Sequence, residues 1–294
     1  GSIATPKAAV LMEAETGQVL YSVNAQARLP MASITKVMSL LVLADMIDAG
    51  ELQLTDAVKA SSYASSAEGS VIWLEAGEEM TAAELLEAVI VSSANDACIA
   101  LAEHAAGSEA AFVKLMNKRA REMKLKNTKF TGCVGFDAEG HYSSAEDIAI
   151  MTAELMTKEY YRGWLLTWLD YLRGGETQLL NTNKLVRYYD GILGGKTGTS
   201  QRNRDAWFMC VAPKLVAGAW VGGEDQSVHP TYGGEGSIMA LPIVGEFFST
   251  VYKNPALGIS KQDRFRRPDR VTEYDCEEEM QQSQYTEEEE GFFD

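Results

Sequence analysis

Three short stretches carry residue types that could act on one substrate together. In "MASITKVM", Ser33 and Lys36 stand three apart at the start of a helical pattern. That spacing puts both side chains on one face, one turn apart, and a helix N-terminus favours negative charge developing nearby. A lysine stripped of its proton, by burial or by a second cation, can activate a serine as nucleophile. In "SSAND", Ser93 and Asn95 fall in a short break between two helical runs. There a hydroxyl could relay a proton and an amide could hold a substrate carbonyl. In "GGKTGTS", Lys196 offers positive charge for a carboxylate and for lowering the pKa of Lys36. Thr197 offers a hydroxyl to the same carboxylate, and Gly198 lets a strand edge approach a ligand because no Cβ intrudes. The backbone N–H groups of Thr199 and Ser33 could form an oxyanion hole.

Each stretch also has a plain reading. Serine and lysine three apart occur on many helix surfaces, Asn and Asp are preferred helix caps, and glycines mark ordinary strand entries. The decision rests on the elements that must position them. "AAVLME" and "QVLYSV" alternate as a hairpin around "AETG". From Pro30, Val37, Leu40, Leu41, Ala44 and Ile47 recur at helical spacing, and Gly50 ends the run. Thr81 with Glu84 forms a capping box for a helix running towards Val91. Asp96 to Ala106 is helical again up to Gly107, Ser108 caps a helix through about Met123, and Ser144 with Asp147 starts another. "EYYRGWLLTWLDYL" reads as a core helix, since it lacks the basic face of a membrane-surface helix. "DAWFMCVA" and "LVAGAWVG" read as strands, and "GSIMALPIVGEFFSTVY" as a helix kinked at Pro242. The expected architecture is α+β: one antiparallel sheet from N- and C-terminal strands, flanked by helices, plus an all-helical lobe at roughly 50–160.

Composition narrows the classes. No apolar run among the 294 residues is long enough to span a bilayer. Gly1-Ser2 reads as a scar from which any targeting segment has been cut away, so the missing leader does not argue for the cytoplasm. Cys98, Cys133, Cys210 and Cys276 are scattered, so neither a metal site nor a disulfide framework is expected. Cys98 and Cys210 read as buried small apolar residues. The net charge of −16 is uneven: ten acids fall in 273–294, and no Lys or Arg follows Arg270. That tail reads as a disordered, solvated appendage to a 1–272 domain, and neither part suits nucleic acid.

The serine-lysine, serine-asparagine and lysine-threonine-glycine motifs occur in the order, and in the element contexts, of the set shared by penicillin-binding proteins and class A β-lactamases. The chain resembles these penicillin-interacting serine acyl-transferases, which implies a β-lactamase/transpeptidase-like fold. Residues 7 to about 192 resemble a D-alanyl-D-alanine carboxypeptidase through "MASITKVM", "SSANDACIALAE", "GFDAEGHYSSAEDIA" and "NTNKLVRYYDG". In "FTGCVGFD", Gly132 and Cys133 stand where that branch has an Asn-Pro-like pair. From Gly194 the sequence is more similar to the end of a class A penicillin-binding protein transpeptidase domain, as in a natural mosaic or a chimera.

The resemblance implies Ser33 as nucleophile, Lys36 as its base, Ser93 and Lys196 in proton transfer, and Asn95 orienting the peptide. It implies Lys196, Thr197 and Thr199 on the terminal carboxylate, with no cofactor. The implied partners are a peptidoglycan stem peptide ending in D-Ala-D-Ala and β-lactam antibiotics, met outside the cytoplasmic membrane. A transpeptidase, or a β-lactam-binding module without turnover, are the alternatives. A Ser-His-Asp hydrolase finds only His104, His141 and His229, and no G-x-S-x-G elbow. A β-lactamase would need an E-x-x-L-N stretch; Glu146 and Glu154 read instead as helix-surface charges.

Overall fold

The computed structural model describes residues 6–184, 186, 194–200, 205–222 and 235–263. The tail 273–294 and His229 lie outside the described residues. Five strands form one antiparallel sheet: β1 (Ala8–Glu13), β2 (Val19–Val23), β7 (Gly194–Thr199), β8 (Asp205–Ala212) and β9 (Leu215–Gly222), in the order β2-β1-β9-β8-β7. Early and late strands therefore share one sheet, with Ala9 opposite Ala219 and Lys196 opposite Met209. β1 alternates buried and half-buried residues, as one covered face requires. β8 is buried at every position because both faces are covered.

The near-continuous apolar run of β8 and β9 reflects that double cover. On one face lie α8 (Gly236–Met239) and α9 (Leu241–Tyr252), whose Val244, Phe248 and Val251 pack on Phe208, Cys210 and Ala217. On the sheet's helical side, α6 (Ala145–Leu155) packs against the sheet and against α1 (Lys36–Asp48). α1 is buried from Lys36 to Ala44, which explains its weak amphipathic pattern. The expected kink at Pro242 is a break at Ala240, with Pro242 in the first turn of α9, where a missing N–H costs nothing.

Of the helices that follow α1, α4 (Asn95–Ala106) and α5 (Glu109–Glu122) pack on it, while α2 (Ser62–Ser65) and α3 (Ala82–Val91) pack on α4. Their ends follow the local signals: Thr81 and Glu84 close a reciprocal capping box, Ser108 and Ser144 accept from the N–H groups of Ala111 and Asp147, and Gly107 ends α4 at φ +79°. The lobe at roughly 50–160, expected to be all-helical, contains a two-stranded sheet, β3 (Ala57–Lys59) with β4 (Glu79–Thr81). A further hairpin, β5 (Leu169–Leu172) with β6 (Thr177–Leu180), also has no counterpart in the sequence reading.

The segment read as one core helix, Glu159 to Leu172, is not one. A 3-10 turn (Glu159–Tyr161) and the five-residue α7 (Arg162–Leu166) end at Thr167, whose backbone is extended, and the chain enters β5. Its start and its last residue, Leu172, are anchored in the core, and the stretch between them is not. Tyr161 is fully buried and donates to Leu40 O at 3.1 Å, whereas Leu166, Leu169 and Tyr171 are exposed. Among the described residues no helix is long and apolar enough to cross a membrane.

Candidate active site

The chain enters α1 through a 3-10 turn, Ala32–Thr35, so Ser33 precedes the helix proper and Lys36 is its first residue. Ala32 holds φ at +46°, a left-handed value for a residue with a Cβ, and this turns Ser33 out of the core. Ser33 is half-buried and Lys36 fully buried. The Lys36 ammonium lies 3.3 Å from Ser33 Oγ and donates to Val134 O at 3.2 Å. Burial lowers its pKa to about 8, against partial compensation from Cys98, Cys133 and Asp96.

Val134 belongs to the loop in which Gly132 and Cys133 depart from the carboxypeptidase pattern. Its geometry is carried by main chain. Cys133 N donates to Glu109 Oε1 at 2.9 Å, Ser39 Oγ donates to Cys133 O at 2.6 Å, and Val134 presents only its carbonyl to Lys36. Gly135 is the side-chain requirement. It has φ +98°, and a Cβ there would overlap Ala32 O at 1.9 Å.

Ser93 sits in the break between α3 and α4 with φ +60° and is almost wholly buried. Lys196 Nζ reaches it across the site and donates to Ser93 Oγ at 2.8 Å. Burial first, and the Lys36 charge second, push the Lys196 pKa well below the usual lysine range. The expected depression of Lys36 by Lys196 thus runs the other way, since the cause at Lys36 is desolvation.

Asn95 opens α4 but does not cap it; Ala94 holds the cap position without a side-chain bond. Its Nδ2 donates to Glu68 O at 2.6 Å and its backbone N–H to Ser70 O at 2.7 Å, while Oδ1 is buried with no partner. Nδ2 keeps a second hydrogen, so the amide retains a donor for the substrate carbonyl read from sequence, while its oxygen is enclosed. The neighbouring Asp96 was missed as a functional support. Its buried carboxylate accepts from the N–H groups of Ile72 and Leu74 at 3.0–3.1 Å and so holds the segment that embraces Asn95. Glu68 also lines a recess of about 250 Å³ with Tyr63, Ile99 and Phe136.

On β7, Lys196 and Gly198 lie on the buried face, and Thr197 and Thr199 on the other. A Cβ on Gly198 would come within 2.9 Å of Ile34 Cγ1 and 3.0 Å of Met31 O. Gly198 therefore seats the strand on the Ser33 turn, a different closeness from the ligand approach expected of it. Trp207, opposite Gly198, donates from Nε1 to Pro30 O at 2.7 Å and ties β8 to the same turn.

Ser200 N donates to Asp205 O, so by antiparallel alternation the N–H of Thr199 points away from β8. That is the free side of the strand, since β7 has no further partner among the described residues. Thr199 Oγ1 accepts from Gly236 N at 3.1 Å and keeps its O–H to donate.

Of the histidines read as unsuited to catalysis, His104 is exposed near Asp56. His141 is buried against the Ser33 turn, with Nε2 2.8 Å from Thr35 Oγ1. Among the described residues no cluster of His, Cys, Asp or Glu could hold a metal. Cys98, Cys133 and Cys210 are buried free thiols.

Comparison with known proteins gives the same constellation a family. Residues 3–212 match the family model described as D-alanyl-D-alanine carboxypeptidase. The match continues past residue 192 and includes β7 and β8, the stretch that by sequence looked more like a transpeptidase domain. The chain is 47% identical over 195 residues to D-alanyl-D-alanine carboxypeptidase DacF of Bacillus subtilis, covering 65% of this chain and 50% of that protein. It is 38% identical over 156 residues to D-alanyl-D-alanine carboxypeptidase DacC of Escherichia coli, covering 51% and 39%. The chain thus spans about half the length, or less, of these curated relatives. The solved structure of penicillin binding protein 5 from Haemophilus influenzae superposes with a TM-score of 0.72 at 27% identity, over 86% of this chain and 72% of that one. The fold is that of the penicillin-binding, β-lactamase-like proteins, and the chain belongs to the D-alanyl-D-alanine carboxypeptidase family.

Proposed function

We propose that the protein is a serine-type D-Ala-D-Ala carboxypeptidase acting on peptidoglycan stem peptides outside the cytoplasmic membrane. The observation that carries this reading is Lys36 Nζ, fully buried, 3.3 Å from Ser33 Oγ and hydrogen-bonded on its other side to Val134 O. With a pKa of about 8, roughly a tenth of Lys36 is neutral at pH 7. The neutral amine accepts the Ser33 proton while still donating to Val134 O.

Ser33 Oγ then adds to the carbonyl between the two D-alanines. The N–H groups of Ser33 and Thr199 receive the oxyanion. The C–N bond breaks as the leaving amine takes a proton delivered through Ser93, whose hydroxyl Lys196 holds at 2.8 Å. Lys196, from the Ser93 side of β7, and Thr199, through its free O–H at the strand edge, take the departing carboxylate, with Thr197 on the same face as Thr199, and the Asn95 amide orients the peptide. Water attacks the resulting ester, freeing the shortened peptide and Ser33. A β-lactam enters the same route and remains as a penicilloyl ester on Ser33.

Intact-mass spectrometry with a penicillin, run beside Ser33→Ala, together with D-alanine release from diacetyl-Lys-D-Ala-D-Ala, tests the reading. A Ser33-dependent adduct with released D-alanine is expected. An adduct that persists in Ser33→Ala removes Ser33 as nucleophile. An adduct without release overturns the carboxypeptidase assignment.

A further inference from the structure

The Ser33 N–H, one expected donor to the oxyanion, belongs to the same peptide unit as the Ala32 carbonyl. A peptide unit is planar and trans, so its C=O and N–H point in opposite directions and move together. Whatever grips Ala32 O therefore aims Ser33 N–H. That grip is continuous and has one direction. Thr35 Oγ1 donates to Ala32 O at 2.7 Å, and His141 Nε2 lies 2.8 Å behind Thr35 Oγ1. Thr131 N donates to His141 Nδ1 at 3.0 Å. A backbone N–H is always a donor, so Nδ1 accepts, the proton of the neutral ring sits on Nε2, and the chain runs Thr131 N–H to His141, His141 to Thr35, Thr35 to Ala32 O.

Two further facts make this chain more than packing. The peptide it holds is strained at Ala32, φ +46°, and would relax if released. The carbonyl is also confined from the other side by Gly135, where no Cβ fits. We propose that Thr35 and His141 form a hydrogen-bonded strut that aims and polarises the Ser33 N–H for the oxyanion, making both positioning residues for acylation. A hydrogen bond to a carbonyl strengthens the donor at the other end of the same peptide, so the strut acts through orientation and polarity together. Desolvation lowers the His141 pKa to about 4, so the ring stays neutral and keeps one tautomer at working pH. Phe130 packs edge-on to the ring at 6.1 Å and limits its rotation.

The inference rests on Ser33 being the nucleophile, and the test separates the two claims. Penicillin acylation of the full chain is followed by stopped flow, so that the non-covalent Kd and the acylation rate constant are resolved. Thr35→Val keeps the shape and removes the hydroxyl; it is expected to slow acylation by about 10-fold or more at unchanged Kd. Thr35→Ser restores the rate. His141→Leu falls with Thr35→Val, and the double variant is no slower than the slower single, because the two act in series. His141→Gln, which can accept from Thr131 N and donate to Thr35, recovers most of the rate.

In the penicilloyl-enzyme the ester C=O stretch moves to higher frequency in Thr35→Val, a readout that a folding defect alone would not move. Thr35→Val with wild-type acylation and an unmoved stretch overturns the strut, as does a loss confined to Kd. Should His141→Leu fail to fold, the Thr35→Val and Thr35→Ser pair decides. A wild-type protein without any Ser33 adduct counts against the proposed function; the strut is then judged by the imidazole 15N spectrum. An Nε2–H tautomer perturbed by Thr35→Val supports it, and an Nδ1–H tautomer overturns it.

Discussion

The two walls of the site solve the same placement problem by opposite means. On the helical wall, the hydroxyls of Ser33 and Ser93 are aimed by left-handed backbone at non-glycine residues, Ala32 at φ +46° and Ser93 at φ +60°. Each such residue costs on the order of 1–2 kcal/mol, and persists only where neighbours over-determine it. Here the neighbours are the Thr35 bond to Ala32 O and the Asn95 N–H bond to Ser70 O. On the sheet wall the backbone is a regular strand, and placement depends on a missing side chain. Gly198 leaves room for the Ser33 turn to lie against β7. Strain aims single groups, whereas an unstrained strand with a gap aligns a whole edge.

Filling the gap should do the greater harm. Gly198→Val puts side-chain atoms where Ile34, Met31 O and Trp207 already stand, and the backbone oxygen cannot yield. Overpacking of this kind costs about 1–3 kcal/mol of stability. Prising β7 from the Ser33 turn is expected to lower acylation by about 100-fold or more, as the loss of an oxyanion donor does. Urea denaturation and penicillin acylation measure the two losses. Wild-type acylation in Gly198→Val would break the comparison.

The lysines give the next largest effect. In the proposed mechanism Lys36 works as its free amine, and burial holds its pKa at about 8. Acylation should therefore rise with pH and level off above about 8. The linked stability term has the same sign. Between about 8 and 10.5 the unfolded lysine holds a proton that the folded one has lost, so this group makes the fold more stable as pH rises across that window. Lys36→Arg cannot deprotonate and should abolish the rise along with the activity. A rate that falls between pH 6 and 8 would remove Lys36 as the base.

The helical wall was the more legible of the two in the sequence. Its helices announce their ends through Thr81 with Glu84, Gly107, Ser108 and Ser144, and these are local signals that local chemistry honours. The motifs named Ser33, Lys36, Ser93 and Lys196, whose side chains the fold brings into hydrogen-bonded pairs, because each needs a particular functional group. What stayed hidden depends on partners distant in sequence. Asn95 looked like a cap until Glu68 O and Ser70 O claimed its N–H groups. Gly198 looked like a ligand seat until Met31 and Ile34 were seen to occupy the space. Glu159 to Leu172 kept helical periodicity in its aromatics, yet pairing with Thr177–Leu180 drew its second half into a strand. His141 was set aside for want of a triad, while its use lies in a bond to Thr35, 106 residues away.

The smallest predicted effect sharpens the contrast most, because it puts glycine where the molecule does without it. Ala32→Gly removes the left-handed strain, worth about 1–2 kcal/mol, adds unfolded-chain entropy that offsets about 0.5–1 kcal/mol, and loses a buried methyl group worth about 0.8 kcal/mol. The terms nearly cancel, so the urea midpoint should stay within about 0.5 kcal/mol of wild type at unchanged slope. The same change frees the Ala32–Ser33 peptide to wander from the Thr35 hydroxyl, so acylation should slow by about threefold, small beside the loss of an oxyanion donor. Glycine would then cost the helical wall rate without stability, whereas removing glycine from the sheet wall costs both. A variant that loses the full sum of the entropy and methyl terms, about 1.5 kcal/mol, would show that the left-handed turn at Ala32 is relaxed. The orientation of Ser33 would then come from the bonds around it alone, without stored strain.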